Sequence, residues 1–547
     1  MPENSLRRLA AHLVVGLEGT ALTAGERALF EESPPAGVIL FARNVDGAAR
    51  LRRLAHEVRS VIAASSGLVP LVAADHEGGR ISVLAGAIGV PPTQMAAWMP
   101  RDEGLLASLA SSLSSMMLEL GVNTTLSPVA DIYSTPEDPV IGTRSFAVDE
   151  RSVSEAVRIW VEAAGRTGII TCLKHFPGHG SAVEDSHLTL PVLGRDVEGL
   201  RKTDILPFEA GIEAGADMVM TGHVKPRGEA GPASLDPRIA GGLLRSELGF
   251  AGPVITDALE MAGALGGRIP DSSIPAAGSS GSEDALPSAV VTAALEAGND
   301  LLLMSRPAAV VYAELARTAA GPFGRMLEEG PERLDLSLGR IAGLREKAAR
   351  ASRGPGPIAR LVRTEAAIAS KSVRVVRDPR GILGRFEGLK LSVGREVEFT
   401  AAGRREDLEC PAAVMFTRML LGGIDRIASS ADTAGVSGWS GEGEWKPSPI
   451  DRAGRYAADG GGILTAGPMT AGRGEGRLSV LALMFRRPVE RNLLRRLMEG
   501  RDVVLALERS EDADVAPEGC AVIATSGIYN AAAGTIVPML AGAAPKD

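Results

Sequence analysis

A chain of 547 residues exceeds what one ordinary core supports, so two domains, or one large barrel plus a second domain, are the starting expectation. Apolar residues make up 45% of it, which is ample for sizeable cores, and a net charge of −9 argues against a nucleic-acid binder, which would carry a basic surface. Cys172, Cys410 and Cys520 lie far apart with no CxxC pair, implying neither a disulfide framework nor a zinc site. The N-terminal apolar run is broken by Gly16 and Glu18 and no 18-residue apolar segment occurs, so no signal peptide or membrane span is read and a cytoplasmic location is expected.

In chain order, short β-type runs alternate with longer amphipathic segments through the first 345 residues. The runs are LVVGL (13–17), GVILF (37–41), LVPLVAAD (68–75), TTLSPVAD (124–131), GIITCLKHF (168–176), ADMVMTGH (216–223), GPVITD (252–257) and NDLLLM (299–304). Each is apolar at consecutive positions, as parallel strands covered on both faces are. Eight strand–helix units close a (β/α)8 barrel, and an α/β fold of that TIM-like kind is expected over residues 1–350. The rival open sheet would need a GxGxxG loop after the first strand, and GLEGTAL does not provide one. Two loops, 83–99 and 263–286, are long; the second is rich in Gly, Ser and Pro and is expected to be mobile at the barrel mouth. A Pro/Gly break, RGPGPIAR, marks a linker at 351–365. Further β-type runs, among them SVRVV (372–376), LKLSVG (389–394), AAVMF (412–416), GILTAG (462–467), LSVLALMF (478–485), DVVLALE (502–508) and CAVIATSG (520–527), predict a smaller α/β sandwich over 366–547. A helical period is read over Pro488–Met498, and the Gly-rich 435–476 stretch is left without an assignment.

Polar residues gather at the C-terminal ends of the expected barrel strands. Asp75 ends the third and Asp131 the fourth; Lys174 and His175 end the fifth, His223 the sixth and Asp257 the seventh, while Arg144 follows the fourth. A barrel brings such positions to one pocket. Two carboxylates with Arg144 and Lys174 suit the vicinal hydroxyls of a sugar, and a strand-end carboxylate can attack an anomeric carbon. That attack needs a proton donor on the leaving oxygen, a role open to His187, with Asp185 two residues earlier to orient its imidazole. Blander roles are expected of others: His179 pins its loop, Asp131 binds backbone amides beneath the pocket, Glu77 shapes a turn before Gly78 and Gly79, and His12 and His56 are structural. His175, His179, Asp185 and His187 fit no zinc spacing well, so no metal and no cofactor is expected.

GVILFARN (37–44), AADHEGGRI (73–81), SPVADI (127–132), IGTRSF (141–146), KHFPGHG (174–180) with DSH (185–187), MTGH (220–223) and ITDALEM (255–261) together resemble glycoside hydrolase family 3, in its bacterial β-N-acetylglucosaminidase branch. The resemblance implies a retaining exo-hydrolase of terminal β-linked N-acetylglucosamine, with cell-wall muropeptide fragments as the substrate source. It implies Asp257 as the nucleophile, His187 with Asp185 as the acid/base dyad, and Asp75, Arg144, Lys174 and His175 gripping sugar hydroxyls beside His223. The family often carries an arginine where this chain has Val83, and the insertion after Asp257 is longer than usual. A phosphorylase, in which phosphate replaces water, a β-glucosidase and a non-catalytic sugar-binding protein remain alternatives. The expected partner is a small glycoside, with no nucleic acid or membrane; the oligomeric state is not readable.

Overall fold

The computed structural model describes residues 2–135, 138–186, 188–266, 288–350 and 358–377, then 397–404 and short segments between 463 and 536. The expected (β/α)8 architecture is present. Its eight parallel strands are β1 (Leu13–Gly16), β2 (Gly37–Leu40), β3 (Leu71–Ala74), β4 (Thr124–Thr125), β5 (Ile170–Phe176), β6 (Met218–Thr221), β7 (Val254–Thr256) and β8 (Leu302–Pro307). They follow one another around the sheet, with β8 returning to pair with β1 through Leu13↔Leu302 and Val14↔Leu303. Closure between β7 and β8 rests on a single bridge, Ile255↔Leu301, helped by Leu303 N donating to Thr256 Oγ1 at 3.2 Å.

Strand alternation divides the core into two layers. Val14, Ile39, Leu71, Ala73, Ile170, Met218 and Ile255 point into the barrel, while Leu13, Val15, Val38, Val72 and Val219 meet the surrounding helices. Cys172 is one of the inward residues, and burial pushes its thiol pKa well above the usual range, as fits a small core residue. β4 is shorter than the 124–131 run because Pro128 has no N–H for a ladder. The strand direction continues through single contacts, Val129↔Lys174 and Ala130 N to Lys174 O at 2.8 Å.

Helices start where capping residues stand before them. Asp102 accepts from Leu105 N at 3.0 Å ahead of Glu103–Glu119, and Asp149 from Ser152 N at 2.9 Å ahead of Glu150–Gly165. The 83–99 loop folds into two short helices, Ala85–Ile88 and Gln94–Trp98. Beneath the barrel, Asp300 gathers distant chain segments. Its carboxylate accepts from Val254 N at 2.9 Å, from Arg340 Nη2 at 2.7 Å and from Arg245, and its carbonyl from His12 Nδ1 at 2.8 Å. His12 is therefore structural, in a turn at the foot of β1 rather than inside a helix.

The segment 351–365 includes the first part of a helix, Ile358–Ser372, which packs on Glu103–Glu119 with Ser108 Oγ 2.9 Å from Thr364 Oγ1 and Lys371 Nζ 3.0 Å from Asp102. After it, seven strands (Arg374–Arg377, Val397–Arg404, Ile463–Thr465, Met469–Ala471, Leu478–Leu483, Val503–Ala506 and Ala521–Ala524) form one mixed sheet. The strand at 397–404 is not among those read from the sequence. The expected strands 389–394 and 412–416, the 488–498 helix apart from Met498, most of the 263–286 loop, Cys410 and Cys520 lie outside the described residues. No described helix is long and apolar enough to cross a membrane.

Candidate active site

β3 runs directly into a hairpin, His76–Gly78 with Ile81–Ser82. In extended backbone, residues two apart share a face, so Asp75 and Glu77 point one way and His76 the other. His76 is buried, accepts from Leu84 N at 3.3 Å, and has its pKa pushed down to about 3 by burial. Asp75 and Glu77 both meet Lys174 from β5, whose Nζ lies 2.5 Å from Asp75 Oδ1 and 2.5 Å from Glu77 Oε1. Arg144 approaches Glu77 from the opposite side with a two-pronged contact, Nε to Oε2 at 2.8 Å and Nη2 to Oε1 at 2.9 Å.

Burial disfavours the charged forms of Glu77, Lys174 and Arg144; their opposite charges outweigh it. Burial pushes the Glu77 carboxyl up, but Arg144 and Lys174 outweigh it and hold its pKa at about 2. Burial pushes Lys174 down, yet Asp75 and Glu77 raise it to about 12. For Arg144, too, the nearby carboxylates overcome burial and raise the pKa. The cluster has a depth order: Glu77 and Lys174 are only 1% and 2% exposed, whereas Asp75 and Arg144 are 24% and 16% exposed. Lys174, expected to grip substrate, therefore sits below the pocket surface, and Asp75 and Arg144 form its open edge.

His175 follows through a cis peptide after Lys174. Its Nδ1 donates to Asp131 Oδ2 at 2.7 Å, and its Nε2 faces Arg144 Nη2 at 3.5 Å. Asp131 also accepts the backbone N–H of His175 at 3.1 Å and of His179 at 2.7 Å, so it binds the amides of the KHFPGHG turn from beneath. Burial raises the Asp131 carboxyl, but His175 and His179 outweigh this and leave it below the ordinary carboxylate value. His179 pins its loop: Nε2 lies 3.0 Å from Ser186 Oγ, and Nδ1 faces the Asp138 carboxylate at 3.8 Å, beyond hydrogen-bond reach. Burial lowers the His179 pKa, but Asp138 and then Asp131 raise it further.

Asp257 stands at the end of β7, its N–H donating to Thr221 O of β6 at 2.9 Å and its Oδ1 accepting from Ala258 N at 2.8 Å. His223, expected near substrate, uses both ring nitrogens inside the protein. Nε2 donates to Ala258 O at 3.0 Å, which leaves Nδ1 to accept from Ser234 Oγ at 2.7 Å. Burial lowers its pKa against the pull of Asp257, so it stays neutral and braces the Asp257–Ala258 turn. Asp185 is buried, its carbonyl accepting from Leu188 N at 2.9 Å and Thr189 N at 3.0 Å; His187 lies outside the described residues. Gly263 N donates to Ser186 O at 3.0 Å, joining the Asp185–Ser186 segment to the loop after Asp257.

The structure thus brings Asp75, Arg144, Lys174 and His175 together, with Glu77 as a member that sequence reasoning placed in a turn. The signal was present in the D-H-E spacing, which sets two acids on one face of a strand. Eight parallel strands delivering acids, cations and imidazoles to their C-terminal ends define an enzyme barrel of the (β/α)8 class. The chain belongs to glycosyl hydrolase family 3, matching the family's N terminal domain over residues 12–330. A beta-hexosaminidase of Stenotrophomonas maltophilia (strain R551-3) is 34% identical over 303 residues, covering 54% of this chain and 83% of that protein. The fold is similar to that of a glycoside hydrolase family 3 beta-N-acetylglucosaminidase from Paenibacillus sp. str. FPU-7, with TM-score 0.74 and 24% identity over 98% of this chain and 96% of that one. It is also similar to a GH3 family member from Mycobacterium smegmatis str. MC2 155, with TM-score 0.51 and 28% identity over 62% of this chain and 96% of that one.

Proposed function

We propose that this glycoside hydrolase is a retaining exo-glycosidase that removes terminal β-linked N-acetylglucosamine. The observation that carries the proposal is the charged edge of Asp75 and Arg144, backed by buried Lys174 and Glu77, on the same barrel end as Asp257. Vicinal hydroxyls would meet acceptors on Asp75 and donors on Arg144, with His175 alongside. The beta-hexosaminidase relatives support the choice of aminosugar.

In the reaction, the Asp257 carboxylate attacks the anomeric carbon and the glycosidic C–O bond breaks. His187 protonates the departing oxygen, oriented by Asp185. A water then gives its proton to His187 while its oxygen bonds the anomeric carbon, releasing Asp257. An imidazole with an ordinary pKa near 6.5 serves both half-reactions at neutral pH. We further infer that the source of substrate is cell-wall fragments met in the cytoplasm. We also infer that 1–350 is the catalytic unit, joined through 351–365 to a second domain over 366–547.

The test is a panel of nitrophenyl glycosides run with and without phosphate, with a slow fluorinated glycoside added to trap the intermediate. Preference for the N-acetylglucosaminide and a trapped adduct on Asp257 support the assignment. A preference for glucoside, or an adduct elsewhere, would overturn it, and sugar 1-phosphate as product would make the enzyme a phosphorylase.

A further inference from the structure

Glu77 touches both cations of the site and is itself sealed from solvent. Its position is set before any substrate arrives. Gly78 has a φ of +109°, and a Cβ there would come within 2.0 Å of Pro92 O, so the turn that follows Glu77 is pressed against the 91–92 backbone. Gly79 N adds a hydrogen bond to Pro91 O at 2.9 Å. The chain from Pro92 leads into the helix Gln94–Trp98, and Gln94 Nε2 donates to Arg144 O at 2.7 Å and to Val129 O at 3.0 Å. The Arg144 backbone and the Glu77 carboxylate are thereby fixed to the same short stretch.

We propose that Glu77 is a positioning residue that locks Arg144 and Lys174 into one unit, so that Arg144 and Asp75 face the sugar already arranged. The inference rests on the aminosugar reading of the pocket only for the identity of the ligand. The geometry behind it is a single carboxylate with its two oxygens shared among three nitrogens of two side chains. A long arginine and a long lysine would otherwise lose considerable rotamer freedom on each binding event. With Glu77 in place that loss is borne on folding. Charge balance follows as well: two acids and two cations make the cluster neutral, and removing one acid leaves a buried excess cation.

The test is Glu77→Gln beside Glu77→Asp, with wild type first used to find which glycoside is turned over; that step alone judges the aminosugar reading. On that glycoside, E77Q is expected to raise KM about 100-fold, the loss typical of breaking a buried charge pair, with kcat changed far less. Its kcat/KM profile, taken on a nitrophenyl glycoside whose departure needs little protonation by His187, should also gain an alkaline limb beyond that of wild type, because Lys174 keeps its burial but loses one of the two carboxylates that hold it charged. E77D, which keeps the charge but shortens the reach, should show the wild-type profile and an intermediate KM. A residue that only supported the fold would lower yield or active fraction without moving KM or the pH profile. An E77Q with wild-type KM and profile would overturn the proposal. If E77Q does not fold, E77D decides: wild-type KM there refutes it, and raised KM with an unmoved profile supports it.

Discussion

Replacing Asp131 with alanine tests whether one buried carboxylate organises the whole KHFPGHG turn. Asp131 is fully buried and accepts the backbone N–H groups of His175 and His179 together with His175 Nδ1. Alanine would strand two amides and one imidazole N–H in a place where water has little access. Each stranded neutral donor costs about 1–3 kcal/mol, so the three together predict a loss of about 4 kcal/mol after local relaxation. In a domain of this size that corresponds to a fall in Tm of about 8 °C. Asparagine, which keeps one acceptor oxygen but turns an amide toward donors, should fall between. Calorimetry of the three proteins measures this, with glycoside turnover in parallel, because a His175 freed from Asp131 should also raise KM. The pH dependence has a definite sign. The folded pKa of Asp131 lies below its unfolded value, so its contribution is complete above about pH 4 and is lost as pH falls through the folded pKa. The Tm gap between wild type and D131A should therefore narrow as pH falls below about 4 and close only in strong acid. A D131A protein that melts within about 2 °C of wild type with unchanged KM would refute the reasoning.

Asp257→Ala should abolish turnover of every glycoside, measured with the best nitrophenyl substrate, and residual activity above about a thousandth would remove Asp257 as nucleophile. His187→Ala should spare nitrophenyl leaving groups, which need little protonation, and fail on unactivated disaccharides; equal losses on both would end its role as acid. Gly263→Ala places a methyl 2.9 Å from His223 Cβ and 3.0 Å from Ser186 O. It should push the Asp185–Ser186 segment outward, costing about 1–3 kcal/mol and cutting turnover of poor leaving groups more than good ones in the same comparison.

Most of the barrel was legible because its strands are short apolar runs between amphipathic helices, a pattern that parallel sheets with both faces covered impose. Their ends were less so. The 124–131 run yields only Thr124–Thr125 as regular strand, since Pro128 cannot donate to a ladder whatever its neighbours. The 83–99 loop hid two helices of four and five residues, too short to show periodicity. The 351–365 linker was read from a Pro/Gly break, yet helix Ile358–Ser372 begins within it, and Leu361 and Ile368 find barrel partners that no local pattern reveals. In the site, Asp75, Arg144, Lys174 and His175 stood out as polar residues at strand ends or just after them. Glu77 did not, because the two glycines after it dominate any local reading; its neighbours Arg144 and Lys174 come from 67 and 97 positions later and exist only in the fold.

Asp300 bears on how this enzyme is made. Its bonds join His12 at the start of the barrel, Val254 at the foot of the Asp257 strand, and Arg340 on a helix 40 residues further on. β1 lacks its second neighbour until Leu302–Met304 has been synthesised, and the knot beneath the barrel stays untied until Arg340 follows. Contacts separated by nearly 290 positions form slowly, since loop closure precedes any gain from them. The growing chain thus carries every strand-end residue of the pocket before the ring that aligns them can shut.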